Sequence, residues 1–257
     1  MKDKPVGFFD SGLGGASVLK EALRLLPKEN YIYYGDNKNA PYGDKDEKEI
    51  TRLTFAGADF LVSHGVKAMV LACNTATSAA IREIREMLSI PVISVEPAIK
   101  PACALPGDGK ILMCATLATT RLERYQKLRA RMPDPGRVVD VPCPGLADRI
   151  EQGVFGADAF DDLFRGYFKP FEGQRIDAIV LGCTHYVFIK DAFKRYAQEH
   201  FSGNAALFDG NAATILQLGR VLEEKGLSGA SGEADVAFHT SGDRAYFEPL
   251  FLSLLRG

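Results

Sequence analysis

The sequence predicts an α/β fold with two pseudosymmetric domains, each a mostly parallel sheet flanked by helices. Short apolar runs alternate with amphipathic segments along the whole chain, which is the order of parallel sheets that helices cover on both faces. One apolar run with Cys and Thr at its end occurs twice, at 70–75 (VLACNT) and at 180–185 (VLGCTH). Between the two copies, proline and glycine accumulate at 97–109, which indicates a domain boundary.

The first half of the chain carries clear strand and helix patterns. The turn at 11–15 (SGLGG) launches the first helix, and Pro27 ends it because proline cannot continue a helix. A polar loop at 36–44 follows the second strand and precedes the second helix. In this half we expect strands at 5–10, 31–35, 68–72 and from Pro91 onward, and helices at 16–26, around 50–61 and at 76–88.

The second half repeats this order of elements. We expect strands at 111–115, 137–141, 176–182 and 205–208, and helices at 119–131, 157–171 and 190–200, with a short helix that carries Glu151. The chain then closes with a helix at 211–225, a strand at 236–239 and a helix at 244–255. The repeated order predicts two similar α/β units that pack together.

Composition and charge favour a small-molecule partner. The 257 residues include 31 basic and 33 acidic side chains, well mixed, so the chain lacks the basic footprint of a protein that binds nucleic acid or an anionic membrane. It has neither a signal-like start nor an apolar run of about 18 residues, which predicts a cytoplasmic, unanchored protein. Five cysteines without C-x-x-C spacing suit a reducing compartment.

Polar and sulfur-bearing residues occupy the ends of the predicted strands. In open α/β sheets, ligands bind beyond the carboxyl ends of the strands, and Asp10, Cys73, Thr116 and Cys183 lie there. Asp10 is either a helix cap or a functional carboxylate. Each cysteine alone is either a small buried hydrophobe or a thiol made more acidic by a helix N-terminus. Their matching positions favour a function for the pair.

Two common kinds of site do not fit. The turn Gly12-Leu13-Gly14-Gly15 lacks the third glycine of a dinucleotide loop, since position 17 is Ser17, and no Gly-Lys-Ser/Thr phosphate loop follows. We interpret it as a turn that needs positive φ and close backbone approach. No metal is expected, because Cys183 and His185 alone are too few ligands. His185 is either a polar turn residue or a proton partner of Cys183.

Neutral hydrogen-bonding residues cluster at the same strand-to-helix turns. Each alone would serve as a helix N-cap. Together, with the N–H groups at helix starts, they would hold carboxylates without any arginine. These residues are Ser11, Asn74, Thr75, Thr116, Thr119 and Thr184. The predicted ligand is therefore a small anion.

These residues belong to motifs that span nearly the whole chain in order. The motifs are FDSGLGG at 9–15, YGD at 34–36 with Pro41-Tyr42-Gly43, ACNTA at 72–76, Ala115-Thr116 with Thr119, LGCTHY at 181–186 and TSGD at 240–243. In this combination the chain resembles the glutamate racemase family of the aspartate/glutamate racemase superfamily. The resemblance implies an active site at the domain interface and a chain that returns from its second domain to the first. It thus implies one domain of 1–98 plus 209–257 and another of 99–208.

The resemblance also implies a homodimeric enzyme that interconverts L- and D-glutamate without cofactor or metal and supplies D-glutamate for peptidoglycan in a bacterial cytoplasm. Cys73 and Cys183 would exchange the α-proton, with Asp10 assisting Cys73, His185 assisting Cys183, and Glu151 aiding His185. The implied substrate contacts are Asp10, Ser11, Pro41, Tyr42, Gly43, Asn74, Thr75, Thr116, Thr119, Thr184 and His185.

Two departures from the family pattern leave alternatives open. Asp209-Gly210-Asn211 differs from the short sequence that more often follows this Asp, and Met113-Cys114-Ala115 replaces a more glycine-rich approach to Thr116. A related racemase acting on aspartate or a hydantoin would share the two cysteines. A non-catalytic protein that binds a small ligand would share the fold.

Overall fold

The computed structural model describes residues 2–229 and 234–256. The strands are β1 (Val6–Asp10), β2 (Tyr31–Gly35), β3 (Ala68–Leu71), β4 (Val92–Ser94), β5 (Lys110–Ala115), β6 (Val138–Pro142), β7 (Ile176–Leu181), β8 (Ala206–Phe208) and β9 (Val236–Thr240). The α-helices are α1 (Ala16–Leu25), α2 (Glu47–Ser63), α3 (Asn74–Met87), α4 (Ile99–Cys103), α5 (Leu117–Arg121), α6 (Glu123–Ala130), α7 (Leu146–Glu151), α8 (Asp161–Phe168), α9 (Lys190–His200), α10 (Asn211–Glu224) and α11 (Arg244–Arg256). Short 3₁₀ helices lie at Asn37–Asn39, Tyr42–Asp44, Pro135–Arg137, Ala157–Phe160, Lys169–Phe171 and Thr184–Ile189. Within these described ranges, no helix combines the length and apolarity needed to cross a membrane.

The first domain is built on a parallel sheet with the strand order β4-β3-β1-β2-β9. Side chains alternate between its two faces, as the period of a strand requires. Val6 and Phe8 pack in the core beneath α1, α10 and α11, whereas Phe9 and Leu71 pack in the core beneath α2 and α3. Because β9 pairs with β2 along its whole length, the last part of the chain completes the first sheet.

The second domain is built on a parallel sheet with the order β6-β5-β7-β8. Leu112 and Cys114 face the core covered by α7, α8 and α9, and Ile111 and Met113 face the core covered by α4 and α6. Two parallel sheets with helices on both faces confirm the predicted fold class. The residue boundaries 1–98 plus 209–257 and 99–208 stay a prediction, and residues 1, 230–233 and 257 lie outside the described part of the chain.

Three predicted segments differ in detail. The helix expected at 119–131 is two helices, because Leu122 adopts an extended conformation (φ −69°, ψ 139°) between α5 and α6. The helix expected at 157–171 is α8 between two 3₁₀ turns, and Pro170 lies in the second turn, where its missing N–H prevents continuation of the helix. The stretch at 97–109 contains α4, which tolerates Pro101 because the first-turn N–H groups of a helix have no partner within it.

Candidate active site

The carboxyl ends of the two sheets meet at a narrow cavity of about 20 Å³. Asp10 ends β1, Thr116 follows β5, and Cys73 and Cys183 come two residues after β3 and β7. The cavity is lined by Ser11, Ala40, Pro41, Tyr42, Gly43, Cys73, Asn74, Thr75, Thr116, Ala147, Glu151, Cys183 and His185. The structure thus brings the two cysteines, one from each domain, to a single cavity.

Most of the predicted site residues lie in this lining. The three that do not are Asp10, Thr119 and Thr184, which lie behind it and hydrogen-bond to one another or to lining residues. Ala40 and Ala147 complete the lining, and their side chains carry no chemistry that a sequence motif would reveal. In the described ranges, no group of three or more His, Cys, Asp or Glu side chains is placed to hold a metal ion.

Cys73 is the N-cap residue of α3. Its Sγ accepts a hydrogen bond from Ala76 N (3.4 Å) and donates one to Ser11 Oγ (3.4 Å). The expected helix N-terminus is therefore present. Burial nevertheless raises the pKa of the Cys73 thiol to about 12, and the nearby charge of Asp10 adds to the rise. Burial and the charge of Asp10 therefore outweigh the helix N-terminus at this thiol, and the raised pKa favours its protonated form.

Cys183 lies beside a histidine and a carboxylate. His185 Nδ1 is 3.6 Å from Cys183 Sγ, and His185 Nε2 is 2.5 Å from Glu151 Oε1. Burial opposes a charge on His185, but its hydrogen bonds with Cys183 and Glu151 outweigh burial and raise its pKa well above the usual value. Burial also acts to raise the pKa of Glu151, yet the hydrogen bond from His185 and its other donors lower it. The row Cys183–His185–Glu151 can therefore pass a proton to and from the thiol.

Asp10 contacts the second domain as well as the first. Its Oδ1 accepts a hydrogen bond from Gly12 N (2.8 Å), and its Oδ2 accepts one from Thr184 Oγ1 (3.1 Å). Burial raises the pKa of this carboxyl, although the charge of His185 opposes the rise. In the structure both oxygens accept hydrogen bonds from other groups, and the effect of Asp10 on the pKa of Cys73 is that of its charge. An ionised Asp10 disfavours the Cys73 thiolate.

Neutral groups supply the other polar contacts of the cavity. The hydroxyls of Thr75, Thr116 and Thr119 lie 2.9–3.0 Å from one another and join the two domains. Among the residues that the structure describes, Asn74 Oδ1 is buried without a hydrogen-bond partner. Tyr42 donates its hydroxyl hydrogen to Asp36 Oδ2 (2.6 Å), which fixes the 36–44 loop at the cavity. The lining includes no lysine or arginine within the described ranges.

The glycine turn packs against the second domain. A Cβ on Gly12 would collide with the carboxylate of Glu151, and one on Gly14 would lie 2.5 Å from Thr184 Oγ1. The positive-φ glycines of the described chain include neither of these residues. The expected close approach is therefore present at this turn, whereas the expected positive φ is not.

Four polar residues behind the cavity were not found from the sequence. Asn37 Nδ2 donates to Glu151 Oε2 (3.0 Å), and Thr240 Oγ1 donates to Asn37 Oδ1 (2.7 Å). Ser17 Oγ lies 3.0 Å from the carbonyl oxygen of Thr184 and accepts from Asn211 Nδ2 (3.0 Å). Thr240 lay in the motif TSGD and Asn211 in the departure Asp209-Gly210-Asn211, but neither was predicted to contact the site. No local pattern reveals the contacts of Asn37, Ser17 and Asn211, because their partners are distant in the chain.

The chain is similar to known proteins over most of its length. It matches the family model described as Asp/Glu/Hydantoin racemase over residues 13–218. It is 45% identical over 227 residues to the glutamate racemase of Clostridium botulinum (strain Hall), with 88% of this chain and 87% of that protein covered.

Two solved structures share the fold at nearly full coverage. One is glutamate racemase from Francisella tularensis subsp. tularensis SCHU S4 in complex with D-glutamate, with a TM-score of 0.85 and 27% identity over 100% of this chain and 95% of that one. The other is Escherichia coli glutamate racemase in complex with L-glutamate and the activator UDP-MurNAc-ala, with a TM-score of 0.80 and 30% identity over 98% of this chain and 94% of that one.

Proposed function

The chain belongs to the Asp/Glu/Hydantoin racemase family and is thus an isomerase, and we propose that it interconverts L- and D-glutamate by proton exchange at the α-carbon. The observation that carries this proposal is the placement of Cys73 and Cys183, from opposite domains, on one narrow cavity. The similar glutamate racemases, among them structures holding D-glutamate and L-glutamate, support glutamate as the substrate.

Inversion of the α-carbon needs an acid and a base on opposite faces. A single base tends to return the proton to the face that it left, whereas two thiols across a cavity serve both faces. With L-glutamate, the Cys183 thiolate takes the α-proton and forms an S–H bond, while the electron pair of the C–H bond moves to the α-carbon. The Cys73 thiol then delivers its proton to the other face and becomes a thiolate. D-glutamate reacts in the reverse sense.

The two thiols are prepared for different starting roles. The raised pKa of Cys73 keeps it protonated, as the donor to the carbanion must be. Cys183 has His185 and Glu151 to remove its proton. The resting site therefore suits L-glutamate, and a reaction that starts from D-glutamate requires Cys73 to lose its proton first.

Substrate recognition rests on neutral groups. The free N–H groups at the start of α3 and the hydroxyls of Ser11 and Thr75 hold the carboxylates, and Thr184, behind the cavity, supports them through Asp10. The unpartnered Asn74 Oδ1 accepts a hydrogen bond from the α-ammonium group. Tyr42 and Gly43 close the same side of the cavity. Such fixed dipoles stabilise the developing carbanion without a cofactor.

The biological setting belongs to the same proposal. As in the family that the chain resembles, the product D-glutamate would serve peptidoglycan synthesis and cell shape in a bacterial cytoplasm, and the enzyme would be a homodimer. A gel-filtration and light-scattering measurement at several protein concentrations tests the dimer independently of activity.

The decisive experiment follows racemisation and α-hydrogen exchange in deuterated water with purified protein and no added cofactor. Cys73→Ala and Cys183→Ala should each lower racemisation by about 10²–10⁴-fold, because each removes a positioned acid or base. Cys73→Ala should still exchange the α-hydrogen of L-glutamate, and Cys183→Ala that of D-glutamate. The control is Cys103→Ala, which lies outside the cavity lining and should behave as wild type.

Two other results would redirect the proposal. Full racemisation by both alanine variants would reject the two-cysteine mechanism. Faster turnover of aspartate or a hydantoin than of glutamate, in a panel followed by optical rotation, would assign a different substrate, and glutamate binding without exchange would indicate a non-catalytic binding protein.

A further inference from the structure

Glu151 receives hydrogen bonds from both domains. Its Oε1 accepts from Leu13 N (2.5 Å) and from His185 Nε2 (2.5 Å), and its Oε2 accepts from Asn37 Nδ2 (3.0 Å). In the first domain, Leu13 lies in the turn at 11–15 and Asn37 begins the 3₁₀ helix Asn37–Asn39, whereas Glu151 and His185 belong to the second domain. Because two of the three bonds cross the interface, the carboxylate is fully held only when the domains are together.

The first domain fixes the orientation of Asn37. Gly242 N donates to Thr240 Oγ1 (3.0 Å), and the threonine hydroxyl donates in turn to Asn37 Oδ1 (2.7 Å). With its oxygen engaged, the buried Asn37 presents its amide N–H to Glu151. Gly35 and Gly242 make room for this side chain, since a Cβ on Gly35 would lie 2.7 Å from Asn37 Oδ1. The fit is specific to an amide in this position.

We propose that Asn37, oriented by Thr240, is a positioning residue that holds the Glu151–His185 pair for proton transfer at Cys183. Asn37 does not line the cavity, so it acts through Glu151 and not on the substrate. A fixed carboxylate keeps His185 Nε2 directed at Glu151 and therefore His185 Nδ1 directed at Cys183 Sγ. This inference rests on the proposed two-cysteine racemisation. It assigns Asn37 to the proton transfer at Cys183 and not to the proton transfer at Cys73.

The test variant is Asn37→Asp, which keeps the shape of the side chain but places a carboxylate against Glu151. The ionisable groups that face the pair, Asp10, Tyr33 and Cys183, are unchanged. The two enantiomers have equal free energies, so kcat/KM must fall equally in both directions. We expect a fall of about 10-fold, the size of a lost hydrogen bond to a charged group.

Substrate isotope effects show which of the two proton transfers the variant slows. The primary deuterium isotope effect with α-deuterated L-glutamate, whose proton Cys183 removes, should increase in Asn37→Asp. With α-deuterated D-glutamate, whose proton Cys73 removes, it should not increase. Thr240→Val, which removes only the hydroxyl that orients Asn37, should give the same pattern with a smaller amplitude. Isotope effects that rise equally in both directions would overturn the inference.

The matched control is Asn39→Ala. Asn39 lies in the same loop, but its amide donates to Asp36 Oδ1 (3.0 Å) and Asp36 Oδ2 (3.1 Å) and not to Glu151. This variant should keep the wild-type ratio of the two isotope effects. The same change of ratio in Asn39→Ala and Asn37→Asp would show a general disturbance of the loop and reject a positioning role for Asn37.

A measurement without substrate separates this inference from the proposed function. A short hydrogen bond between His185 Nε2 and Glu151 should give a far-downfield imidazole N–H signal by NMR, which should move upfield in Asn37→Asp and stay in place in Asn39→Ala. If the wild-type protein failed to racemise glutamate, the proposed function would fall and this signal would still decide whether Asn37 holds the pair. An unchanged signal in Asn37→Asp would overturn the inference in an active enzyme as well.

Discussion

The two cysteines occupy similar strand ends but have different neighbours. Cys73 has the hydrogen bond from a helix N-terminus that usually lowers a thiol pKa, yet burial and the charge of Asp10 outweigh it. Cys183 also follows a strand, but a 3₁₀ helix comes after it, and its Sγ lies 3.6 Å from His185 Nδ1. The two thiols therefore have different hydrogen-bond partners, on which the proposed difference between their starting roles rests.

We predict that Cys73 is unreactive near neutral pH in the ligand-free enzyme. Because its pKa is raised to about 12, the thiol form is favoured, and each pH unit above neutrality should increase the thiolate fraction about tenfold until the pH approaches that value. Alkylation by iodoacetamide, followed at each cysteine by mass spectrometry between pH 7 and pH 9, should therefore accelerate steadily at Cys73. Half-buried Cys103 serves as the internal reference for folding. A rate at Cys73 that levels off near pH 7 would contradict a protonated resting thiol.

At the residue scale, the sequence predicted the two cysteines that line the cavity, but not the residues that contact the site from behind it. Cys73 and Cys183 were identifiable because each lies in a short local motif, and their polar neighbours lie next to them in the same motif. Asn37 contacts Glu151 and Thr240, which lie far away in the chain, so no spacing could have revealed it. The sequence also could not predict whether burial or the helix N-terminus would dominate the pKa of Cys73, because the depth of burial is a property of the folded molecule.

The turn at 11–15 is one of the elements through which the two domains contact each other. Its glycines bring the backbone against Glu151, Thr184 and His185, and Leu13 N donates to Glu151. A glycine in this position removes the Cβ that would otherwise separate the domains. The turn is therefore an interface element of the site, and its resemblance to a phosphate-binding loop is superficial.

We predict that Gly14→Ala impairs catalysis without unfolding the protein. The new Cβ would lie 2.5 Å from Thr184 Oγ1 and collide with the ring of His185, so the Cys183 side of the cavity must move. A displacement of about 1 Å at a catalytic group costs on the order of 10²-fold in rate. Initial rates in both directions, with circular dichroism as the check on folding, test this expectation.

The matched control is Gly166→Ala in α8. A Cβ there meets no atom within 4 Å, so the change should stabilise the helix by about 0.5–1 kcal/mol and leave turnover unchanged. Wild-type turnover in Gly14→Ala would contradict the prediction, because it would show that the turn accommodates the new Cβ without moving the Cys183 side of the cavity.

Strands were predicted more accurately than helices. The buried strands are short continuous apolar runs, and their pattern has few alternatives. The helix expected at 119–131 breaks at Leu122, a single extended residue that leaves the helical spacing of its neighbours almost intact. Periodicity therefore identifies a helical region without detecting an interruption of one residue.

The repeat of strand, cysteine and helix predicted two similar sheets, whereas the distance between them depends on contacts that no repeat encodes. The sheets approach closely enough for Thr75 Oγ1 to lie 2.9 Å from Thr116 Oγ1, across the interface. The cavity that remains, about 20 Å³, has room for about one water molecule. Glutamate is many times larger, so the cavity must widen before glutamate can enter.

We predict that a covalent link across this interface blocks substrate entry. In Thr75→Cys/Thr116→Cys, sulfur atoms replace two oxygens 2.9 Å apart, a separation that allows a disulfide after a small adjustment. The oxidised double variant should neither bind glutamate by calorimetry nor exchange its α-hydrogen, because the cavity cannot widen. Reduction of the disulfide should restore binding and exchange to the values of the double variant before oxidation. Because both states of this comparison lack the two threonine hydroxyls, the loss of those hydroxyls does not affect the result. The single variant Thr75→Cys should have the same activity before and after the same oxidation, because it has no partner cysteine at position 116. If the crosslinked enzyme racemised glutamate as fast as its reduced form, entry would proceed without domain separation, and the narrow cavity would have to widen by local movement of the 36–44 loop.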